Sequence, residues 1–202
     1  MGTVAIVDYG VGNLKSVANA LSYLGCSSCI TADPAELERA DAIILPGVGA
    51  FPDAADRLRS GGLDQHVLAQ GQKKPVLGIC LGMQLLLEQG REVRPCPGLG
   101  VIRGTVDRIP TQSKLPHIGW NSLRFFRHSA LFRGLDEGAY VYFVHSFSAQ
   151  DTDPAQVIAV TDYGPAVTAA VSSGNFYGTQ FHPEKSGEVG LTILRNFAGL
   201  NC

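Results

Sequence analysis

The sequence predicts an α/β fold in which a mostly parallel central sheet has helices on both faces and carries a β-rich extension. In the first half, continuous apolar runs of strand length alternate with stretches of helical periodicity. From Gly100 to about Tyr177 the signals are mostly strand-like, with turn residues between them, before a last helix. Because the chain has 202 residues and no linker-like stretch, we expect one domain over residues 1–202.

The elements of the first half follow from periodicity and turn residues. A buried strand at residues 3–8 leads through a Gly-rich turn into a helix at 14–24, whose apolar residues recur at i, i+3, i+4 and i+7. Gly25 predicts the end of this helix. The following elements are expected to be strands at 28–31 and 41–45, helices at 52–58 and 63–72, a strand at 75–79 and a helical stretch at 83–88.

The second half reads as antiparallel or mixed strands attached to the parallel core. The expected strands lie at residues 101–102, 140–147, 157–160, 166–171 and 176–181. A final helix is expected at 187–197. Neither a repeat nor a low-complexity tract interrupts these elements, which supports the prediction of one domain.

Composition and charge exclude several classes of protein. With 16 basic and 18 acidic residues, the formal net charge is −2, and no basic excess suggests a nucleic-acid partner. The chain starts almost directly with a strand and lacks the basic start and apolar core of a signal peptide. No apolar run reaches the ~18 residues of a membrane span. We therefore expect a cytoplasmic protein with no membrane partner.

The most informative motif is a cysteine set between glycines, Gly78-Ile79-Cys80-Leu81-Gly82, where an apolar strand passes into a helix. Small neighbours let strand and helix approach each other around a residue held in a strained turn. The start of a helix favours a thiolate, and the N–H of Leu81 is placed where an oxyanion would form. Cys80 is therefore predicted to be a nucleophile, and the alternative is a buried structural cysteine.

A second glycine motif follows the strand at residues 41–45, in the sequence Pro46-Gly47-Val48-Gly49. Active sites of parallel sheets form at the carboxyl ends of the strands, so this motif and Cys80 are expected to lie beside each other. Glycines there allow a backbone N–H to turn toward an anion or away from it. Val48 and Gly49 are thus candidates for an oxyanion site, and a plain connecting turn is the alternative.

Five histidines compete for the role of base. His66 and His128 lie in polar stretches that we expect to be exposed, and His145 lies in an apolar strand where a satisfied core histidine is more common. His182 alone has a carboxylate two residues on, Glu184, with a stiffening proline between them. On an extended chain the two side chains point the same way. Cys80, His182 and Glu184 therefore supply an attacker, a base and an orienter of that base.

No cofactor or metal is expected. The turn after the first strand superficially matches a dinucleotide fingerprint, but Lys15 stands where the third glycine is required, and no phosphate-cradling loop is present. Cys26 and Cys29 have redox or half-zinc spacing, yet no second pair follows. We interpret them as ordinary buried or half-buried cysteines.

Together these motifs resemble the class I (triad) glutamine amidotransferase family, in which a G-x-C-x-G elbow and a late His-Pro-Glu recur on an α/β sheet. The resemblance implies a flavodoxin-like arrangement of that sheet. It covers essentially the whole chain, because the stretches that carry it run in order: residues 8–14, 46–51, 78–84, 117–121, 142–146 and 177–186. The Gly-Val-Gly segment and His-Ile-Gly-Trp-Asn at 117–121 are its more specific parts.

The resemblance implies a glutaminase. Cys80 would attack the side-chain amide carbon of glutamine, His182 would move the proton, and Glu184 would orient the imidazole. The N–H of Leu81 and one from the Val48–Gly49 segment would hold the oxyanion. Water would then hydrolyse the glutamyl thioester.

The resemblance also implies how the substrate is held. Gln84 and Glu92 match positions that bind its α-amino end, and the backbone around Ser146 and Phe147 would hold its carboxylate. At Phe147 the chain departs from the family, where tyrosine is usual.

The ammonia is implied to pass to a (β/α)8 cyclase subunit of a synthase in amino-acid biosynthesis. Asn13, Trp120 and Lys185 match positions at the interface with that partner. A peptide flip in Gly47-Val48-Gly49, triggered by the partner's ligand, would make the glutaminase conditional on the partner.

Three other functions are considered. A glutaminase of another synthase, such as the pyridoxal phosphate one, is disfavoured by the segment around Trp120. A silent binding subunit is disfavoured by the presence of Cys80, His182 and Glu184. A cysteine peptidase on a similar fold is disfavoured by the Gly-Val-Gly segment.

Overall fold

A computed structural model describes residues 2–200 of the chain. The described helices and strands are, in chain order, β1 (Val4–Val7), α1 (Leu14–Tyr23), β2 (Ser28–Thr31), α2 (Pro34–Arg39), β3 (Ala42–Gly47), α3 (Phe51–Ser60), α4 (Leu63–Gly71), β4 (Val76–Cys80), α5 (Leu81–Leu85), β5 (Leu87–Gly90), β6 (Cys96–Pro97), β7 (Ile102–Arg108), β8 (His117–Ser122), β9 (Arg124–Phe125), the 3₁₀ turn η1 (Ala130–Phe132), β10 (Tyr140–His145), β11 (Phe147–Gln150), β12 (Val157–Asp162), β13 (Ala166–Ser173), β14 (Phe176–Thr179), the 3₁₀ turn η2 (Pro183–Lys185) and α6 (Gly187–Ala198).

An eight-stranded sheet in the order β2-β1-β3-β4-β14-β13-β12-β9 organises the molecule. The first five strands in that order run parallel to one another, and the last three pair antiparallel. Strands β1, β3 and β4 are buried along their whole length, as continuous apolar runs in a covered parallel sheet should be. The predicted fold class is confirmed.

Helices cover both faces of the sheet because successive residues of each buried strand point to opposite sides. On one face Val4 and Ile6 of β1 belong to the same apolar cluster as the inner sides of α1 and α6. On the other face Ala5 and Val7 belong to a second cluster with α3, α4 and α5. The carboxyl ends of the parallel strands are left open between these layers.

The β-rich extension consists of two parts. Strands β13, β12 and β9 extend the main sheet, whereas the other strands of the extension form a ribbon of β8 with β10 and a small sheet ordered β11-β7-β5-β6. In the ribbon, Tyr142 lies opposite Trp120 and His145 opposite His117. One face of the ribbon is thus exposed aromatic surface, and the other packs its histidines inside.

Several predicted boundaries were wrong. The helical stretch expected at 83–88 ends at Leu85, and Leu87 starts β5, because the carbonyl groups of Leu86 and Leu87 accept hydrogen bonds from residues 100–102. The strand expected at 140–147 is broken at Ser146, and the one expected at 176–181 ends at Thr179. Helix α2 was not predicted, although Asp33 caps it through a hydrogen bond from the Ala35 N–H, and neither was β8.

No helix within residues 2–200 combines the length and the apolar character needed to cross a membrane.

Candidate active site

Cys80 sits on a strained elbow between β4 and α5. Its φ of 55° is in a region that non-glycine residues enter at a cost of ~1–3 kcal/mol. The neighbouring glycines make the elbow possible. A Cβ on Gly78 would lie 2.5 Å from the backbone oxygen of Gly82, and one on Gly82 would overlap the backbone oxygen of Leu45. The predicted requirement for small neighbours is therefore confirmed.

The end of β3 lies directly beside the elbow, as predicted. Gly47 is the parallel-sheet neighbour of Cys80. A Cβ on Gly47 would lie 2.8 Å from the Tyr9 hydroxyl and 2.9 Å from the Gly82 nitrogen, so only glycine fits there without a shift. The hydroxyl of Tyr9 donates to the carbonyl of Pro46 at 2.7 Å and fixes the strand end. The two glycine motifs thus form one site.

His182 and Glu184 form a buried pair. The distance from His182 Nδ1 to Glu184 Oε1 is 2.7 Å, and the two side chains are only 3% and 1% exposed. The pairing does not arise on an extended strand, as the sequence suggested, because Glu184 lies in the 3₁₀ turn η2. The Ser186 hydroxyl holds this turn by donating to the His182 carbonyl at 2.6 Å and accepting from the Tyr142 N–H at 2.9 Å.

The pKa of His182 is shifted in the opposite direction from that of an ordinary buried histidine. Burial alone would lower the pKa of His182, but the Cys80 thiol and the Glu184 carboxylate raise it to about 9. Its other ring nitrogen, Nε2, is buried and makes no hydrogen bond within residues 2–200. An imidazolium beside a thiol favours the thiolate. The pKa of Tyr9 is also raised, first by burial and then by Cys80.

A cavity of about 490 Å³ opens over Cys80 and His182. That volume is within the range of small-molecule sites. Ten residues singled out from the sequence line it: Val48, Gly49, Cys80, Leu81, Gln84, Glu92, Ser146, Phe147, His182 and Lys185. Glu184 lies behind His182 and does not line the cavity. The structure therefore brings the predicted catalytic, oxyanion and substrate-binding residues together.

Backbone N–H groups without an acceptor in the described chain occur at three places in the cavity wall. The N–H groups of Val48 and Gly49 donate to no group within residues 2–200, and Gly49 has a φ of 100°. Leu81 is the first residue of α5, and the first N–H groups of a helix have no acceptor inside it. Ser146, between β10 and β11, likewise donates no backbone hydrogen bond in the described chain. Such groups are available to an oxyanion or a carboxylate.

Gln84 and Glu92 occupy different walls of the cavity. Gln84 is 4% exposed, and its Nε2 donates to the Phe147 carbonyl at 3.0 Å. Because its nitrogen is used in this way, its Oε1 remains as an acceptor. A carboxylate oxygen of Glu92 accepts from the Phe51 N–H at 2.8 Å, at the start of α3. Both side chains thus offer acceptor oxygens, which a substrate ammonium group requires.

The three residues expected at a partner interface lie at different depths. Lys185 is exposed at the cavity wall, and its Nζ lies 6.0 Å from the centre of the Tyr142 ring. Trp120 is 56% exposed and meets the same tyrosine edge-on, with ring centres 6.1 Å apart. Asn13 is half-buried at the residue preceding α1, where its side chain makes no capping hydrogen bond. Trp120 and Lys185 therefore share one surface through Tyr142.

His66, His128 and His145 lie in the surroundings that the sequence predicted. His66 and His128 are exposed. His145 is buried, with its Nδ1 2.9 Å from the Phe147 carbonyl and its Nε2 3.2 Å from His117 Nδ1. The pKa of His145 is lowered to about 4, mainly by burial, and burial also lowers the pKa of His117. His145 is thus a satisfied core histidine that flanks the site.

Cys26 is buried and Cys29 is half-buried, as expected. Burial raises the pKa of both. Among residues 2–200, no cluster of three or more His, Cys, Asp or Glu side chains is arranged to hold a metal ion.

One side chain of the site was missed. Gln180 is completely buried, and its Nε2 lies 3.7 Å from the Cys80 sulfur. The sequence places it directly after a buried strand and two residues before His182, which on an extended chain puts both on one side. That spacing was the available signal.

Comparison with known proteins agrees with this geometry. The model of the family "Glutamine amidotransferase class-I" matches residues 5–199. The chain is 46% identical over 198 residues to "Imidazole glycerol phosphate synthase subunit HisH" of Bacillus thuringiensis, covering 98% of this chain and 94% of the relative. It is 48% identical over 200 residues to the protein of that name from Bacillus cereus, with the same coverage.

Solved structures show the same fold at low sequence identity. A putative GMP synthase protein of Thermoplasma acidophilum superposes with a TM-score of 0.77 at 23% identity, over 100% of this chain and 94% of that one. PurLQS from Thermotoga maritima superposes with a TM-score of 0.73 at 21% identity, over 98% of both chains. These similarities concern the fold alone.

Proposed function

The chain belongs to the class I glutamine amidotransferase family, and on that basis we propose that it is the glutaminase subunit of an imidazole glycerol phosphate synthase, acting in histidine biosynthesis. The proposal rests mainly on one observation. Cys80, on its strained elbow, lies beside a buried His182–Glu184 pair, in which Nδ1 and Oε1 are 2.7 Å apart. The relatives at 46–48% identity specify which synthase. We propose that residues 1–202 form one amidotransferase domain, working in the cytoplasm.

Glutamine hydrolysis uses Cys80 as the attacking residue. Its sulfur forms a bond to the side-chain amide carbon of glutamine, and the electron pair of the C=O bond moves to the oxygen. His182 holds the proton that the thiol has lost and gives it to the departing nitrogen, so that ammonia leaves and a glutamyl thioester remains. Water, losing its proton to His182, then attacks the thioester and releases glutamate. Glu184 keeps the imidazole oriented throughout.

The tetrahedral oxyanion needs donors that are in place before it forms. The N–H of Leu81, at the start of α5, supplies one. A second comes from the Val48–Gly49 segment, whose two N–H groups have no other partner in the described chain. Because Gly49 tolerates a φ of 100°, rotation of that peptide is sterically cheap. We propose that the ligand-bound partner sets its orientation, which makes hydrolysis conditional.

Glutamine is held at its far end by complementary groups. The Oε1 of Gln84 and the carboxylate of Glu92 accept from its α-ammonium group. The N–H of Ser146, with the backbone of Phe147, receives its α-carboxylate. These contacts place the side-chain amide over Cys80, and the fixed position of the reacting carbon supplies part of the rate.

The ammonia goes to a partner rather than to water. We propose a cyclase subunit with a (β/α)8 barrel, in which ammonia attacks a phosphoribulosyl intermediate and yields imidazole glycerol phosphate and an aminoimidazole carboxamide ribotide. The docking surface is the exposed face of the β8–β10 ribbon. It carries Ile118 and Trp120, 59% and 56% exposed, and it reaches the cavity at Lys185. Asn13 belongs to the same proposed interface.

The test is an assay of glutamate release by the purified chain, with and without the cyclase partner and its nucleotide ligand. We expect slow hydrolysis by the chain alone and an increase of at least about tenfold with the loaded partner, a size typical of coupling between sites. Trp120→Ala should weaken the stimulation. Phe126→Ala, which removes a similarly exposed aromatic ring (55%) that follows the edge strand β9 and lies outside the ribbon, should leave it intact.

Absence of stimulation by this cyclase would remove the synthase assignment. Stimulation by the synthase of the pyridoxal phosphate pathway instead would favour the alternative glutaminase. Undiminished hydrolysis by Cys80→Ala would remove the mechanism itself.

A further inference from the structure

Gln180 joins the nucleophile to the wall that holds the substrate. Its side chain is completely buried. Its Nε2 lies 3.7 Å from the Cys80 sulfur, and its Oε1 lies 3.1 Å from Gln84 Nε2. Gln84 Nε2 in turn lies 3.0 Å from the Phe147 carbonyl. The proposed roles of the triad and of the oxyanion donors give the Gln180 amide no function.

The orientation of the two amides follows from the chemistry of their neighbours. A backbone carbonyl only accepts, so the group that Gln84 turns toward Phe147 is its NH₂. The second hydrogen of the same NH₂ points to Gln180, which must present its oxygen. The NH₂ of Gln180 is then the group left to face the Cys80 sulfur. A reversed Gln180 would set NH₂ against NH₂ and a carbonyl oxygen against the sulfur.

The Phe147 carbonyl that starts this chain of hydrogen bonds is itself fixed. It also accepts from His145 Nδ1, at 2.9 Å, which leaves His145 Nε2 as an acceptor for the Nδ1–H of His117 at 3.2 Å. The remaining nitrogen of His117 accepts from the Asn121 amide at 3.3 Å. Each hydrogen bond in this network has one donor and one acceptor. No single amide or imidazole ring can therefore be flipped unless its neighbours flip as well.

A buried thiolate needs such a donor. Cys80 is 7% exposed, so water cannot solvate its sulfur fully, and the helix that follows it has only five residues. His182 supplies one favourable neighbour. A second N–H aimed at the sulfur stabilises the charged form over the neutral thiol and over the thioester.

We propose that Gln180 holds the Cys80 sulfur as a thiolate by donating its amide N–H, and that Gln84 is the positioning residue that fixes the direction of that amide. The consequence for glutamine hydrolysis rests on the proposed function. Since Gln84 also faces the substrate's ammonium group in that function, substrate binding and nucleophile activation share one side chain.

The test is the rate of Cys80 alkylation by iodoacetamide, measured by peptide mass spectrometry between about pH 6 and pH 10. Only the thiolate reacts, so Gln180→Leu should slow alkylation about tenfold at pH 7, the size expected for a hydrogen bond to a charged group. Near pH 10, above the pKa of an ordinary thiol, the rates of the variant and the wild type should converge. Gln84→Leu should give a smaller decrease of the same kind.

Thr179→Val is the matched control. Thr179 is equally buried and adjacent, but its hydroxyl makes no hydrogen bond within residues 2–200, so this variant should alkylate at the wild-type rate. If Gln180→Leu fails to fold, the nearly isosteric Gln180→Glu replaces it, and it should be slower still at pH 7 because it sets a negative charge beside the sulfur. Cys29, half-buried and remote in sequence, serves as the internal reference.

Wild-type alkylation at pH 7 in the folded Gln180 variants would overturn the proposal. So would a decrease that is equal at every pH, since that indicates altered access rather than altered ionisation. The assay needs neither glutamine nor partner. If partner-stimulated hydrolysis is strong while alkylation in the variants is unchanged, this inference alone is contradicted. If alkylation in the variants changes while no hydrolysis is seen, the proposed function alone is contradicted.

Discussion

Two buried pairs beside the cavity contain histidine, and they differ in charge. His182 is paired with a carboxylate, Glu184, and its pKa is raised to about 9. His145 is paired with another imidazole, His117, and its pKa is lowered to about 4. Both histidines are almost fully buried, so burial disfavours the charged form of each. The neighbours, Cys80 and Glu184 for His182 and a second imidazole for His145, therefore decide which ring carries a proton at neutral pH.

The difference in pKa distinguishes His182, which is placed to react, from His145, which supports the site. His182 keeps Nε2 without a hydrogen bond in the described chain, next to Cys80, and can take or give a proton there. His145 uses both nitrogens, one toward Phe147 and one toward His117. Protonation of His145 would set two N–H groups against each other. Its hydrogen bond to the Phe147 carbonyl fixes the backbone at the start of β11.

The largest expected effect is on activity. His182→Gln should lower glutamine hydrolysis by the stimulated complex about a thousandfold or more, because both proton transfers are lost. His145→Gln retains a donor for the Phe147 carbonyl and an acceptor for His117, and should lower the rate less than about tenfold. Glutamate release under saturating glutamine measures both. Equal losses in the two variants would contradict the division of roles.

A smaller loss with a change in pH profile is expected for Glu184→Gln. The variant keeps the shape of the pair but removes one of the two groups that raise the pKa of His182, so that pKa falls relative to the wild type although Cys80 remains beside the ring. Hydrolysis should fall ~100-fold at neutral pH. The decline at high pH, expected near pH 9 in the wild type, should move to lower pH, because the imidazolium is lost earlier. Rates across the pH range measure this.

Glu188→Gln is the control for that variant. Glu188 is exposed in the first turn of α6, four residues on, and carries the same charge. It should leave both the rate and the position of the high-pH decline unchanged. A Glu184→Gln profile that declines at the wild-type pH would mean that the carboxylate does not set the charge of His182.

The smallest effect is on stability. The pKa of His145 is depressed in the folded protein, so the unfolded chain binds the additional proton between about pH 6.5 and pH 4. The free energy of unfolding should therefore fall by about 3 kcal/mol from this residue as the pH falls through that window. His182 acts oppositely: its contribution is complete below about pH 6.5 and is lost as the pH rises through about 9.

Urea unfolding at a series of pH values measures these two contributions. Comparison of the wild type with His145→Gln isolates one of them, because the carboxylates titrate alike in both proteins. The variant should lose about 3 kcal/mol less than the wild type between pH 6.5 and pH 4. Parallel curves would show that His145 is not held neutral.

The sequence predicted the parts of this comparison that depend on local pattern. Gly78 and Gly82 around Cys80 indicated the elbow, and Glu184 two residues after His182 indicated the pair. The parallel half of the sheet followed from continuous apolar runs. Helix α2 also has a local signal in the sequence, the capping residue Asp33 followed by Pro34.

The remaining features depend on contacts between distant segments. The stretch after Leu85 has helical periodicity, yet it becomes β5 because β7 pairs with it. Gln180 meets Gln84 and Cys80 across 96 and 100 positions of the chain. Neither contact leaves a local periodicity, so only the folded arrangement reveals it. The roles assigned to the site residues stay predictions until the variants are measured.

Trapping the thioester would test the role of Cys80 without reliance on any rate. The complex with its cyclase partner, turning over glutamine, is quenched in acid, digested and examined by mass spectrometry. We expect a glutamyl adduct on the peptide that contains Cys80, and none on the peptides with Cys26, Cys29 or Cys96. With Cys80→Ala we expect neither adduct nor glutamate release. Steady glutamate release with Cys80 unmodified, or with Cys80 replaced, would show that the reaction does not pass through this cysteine.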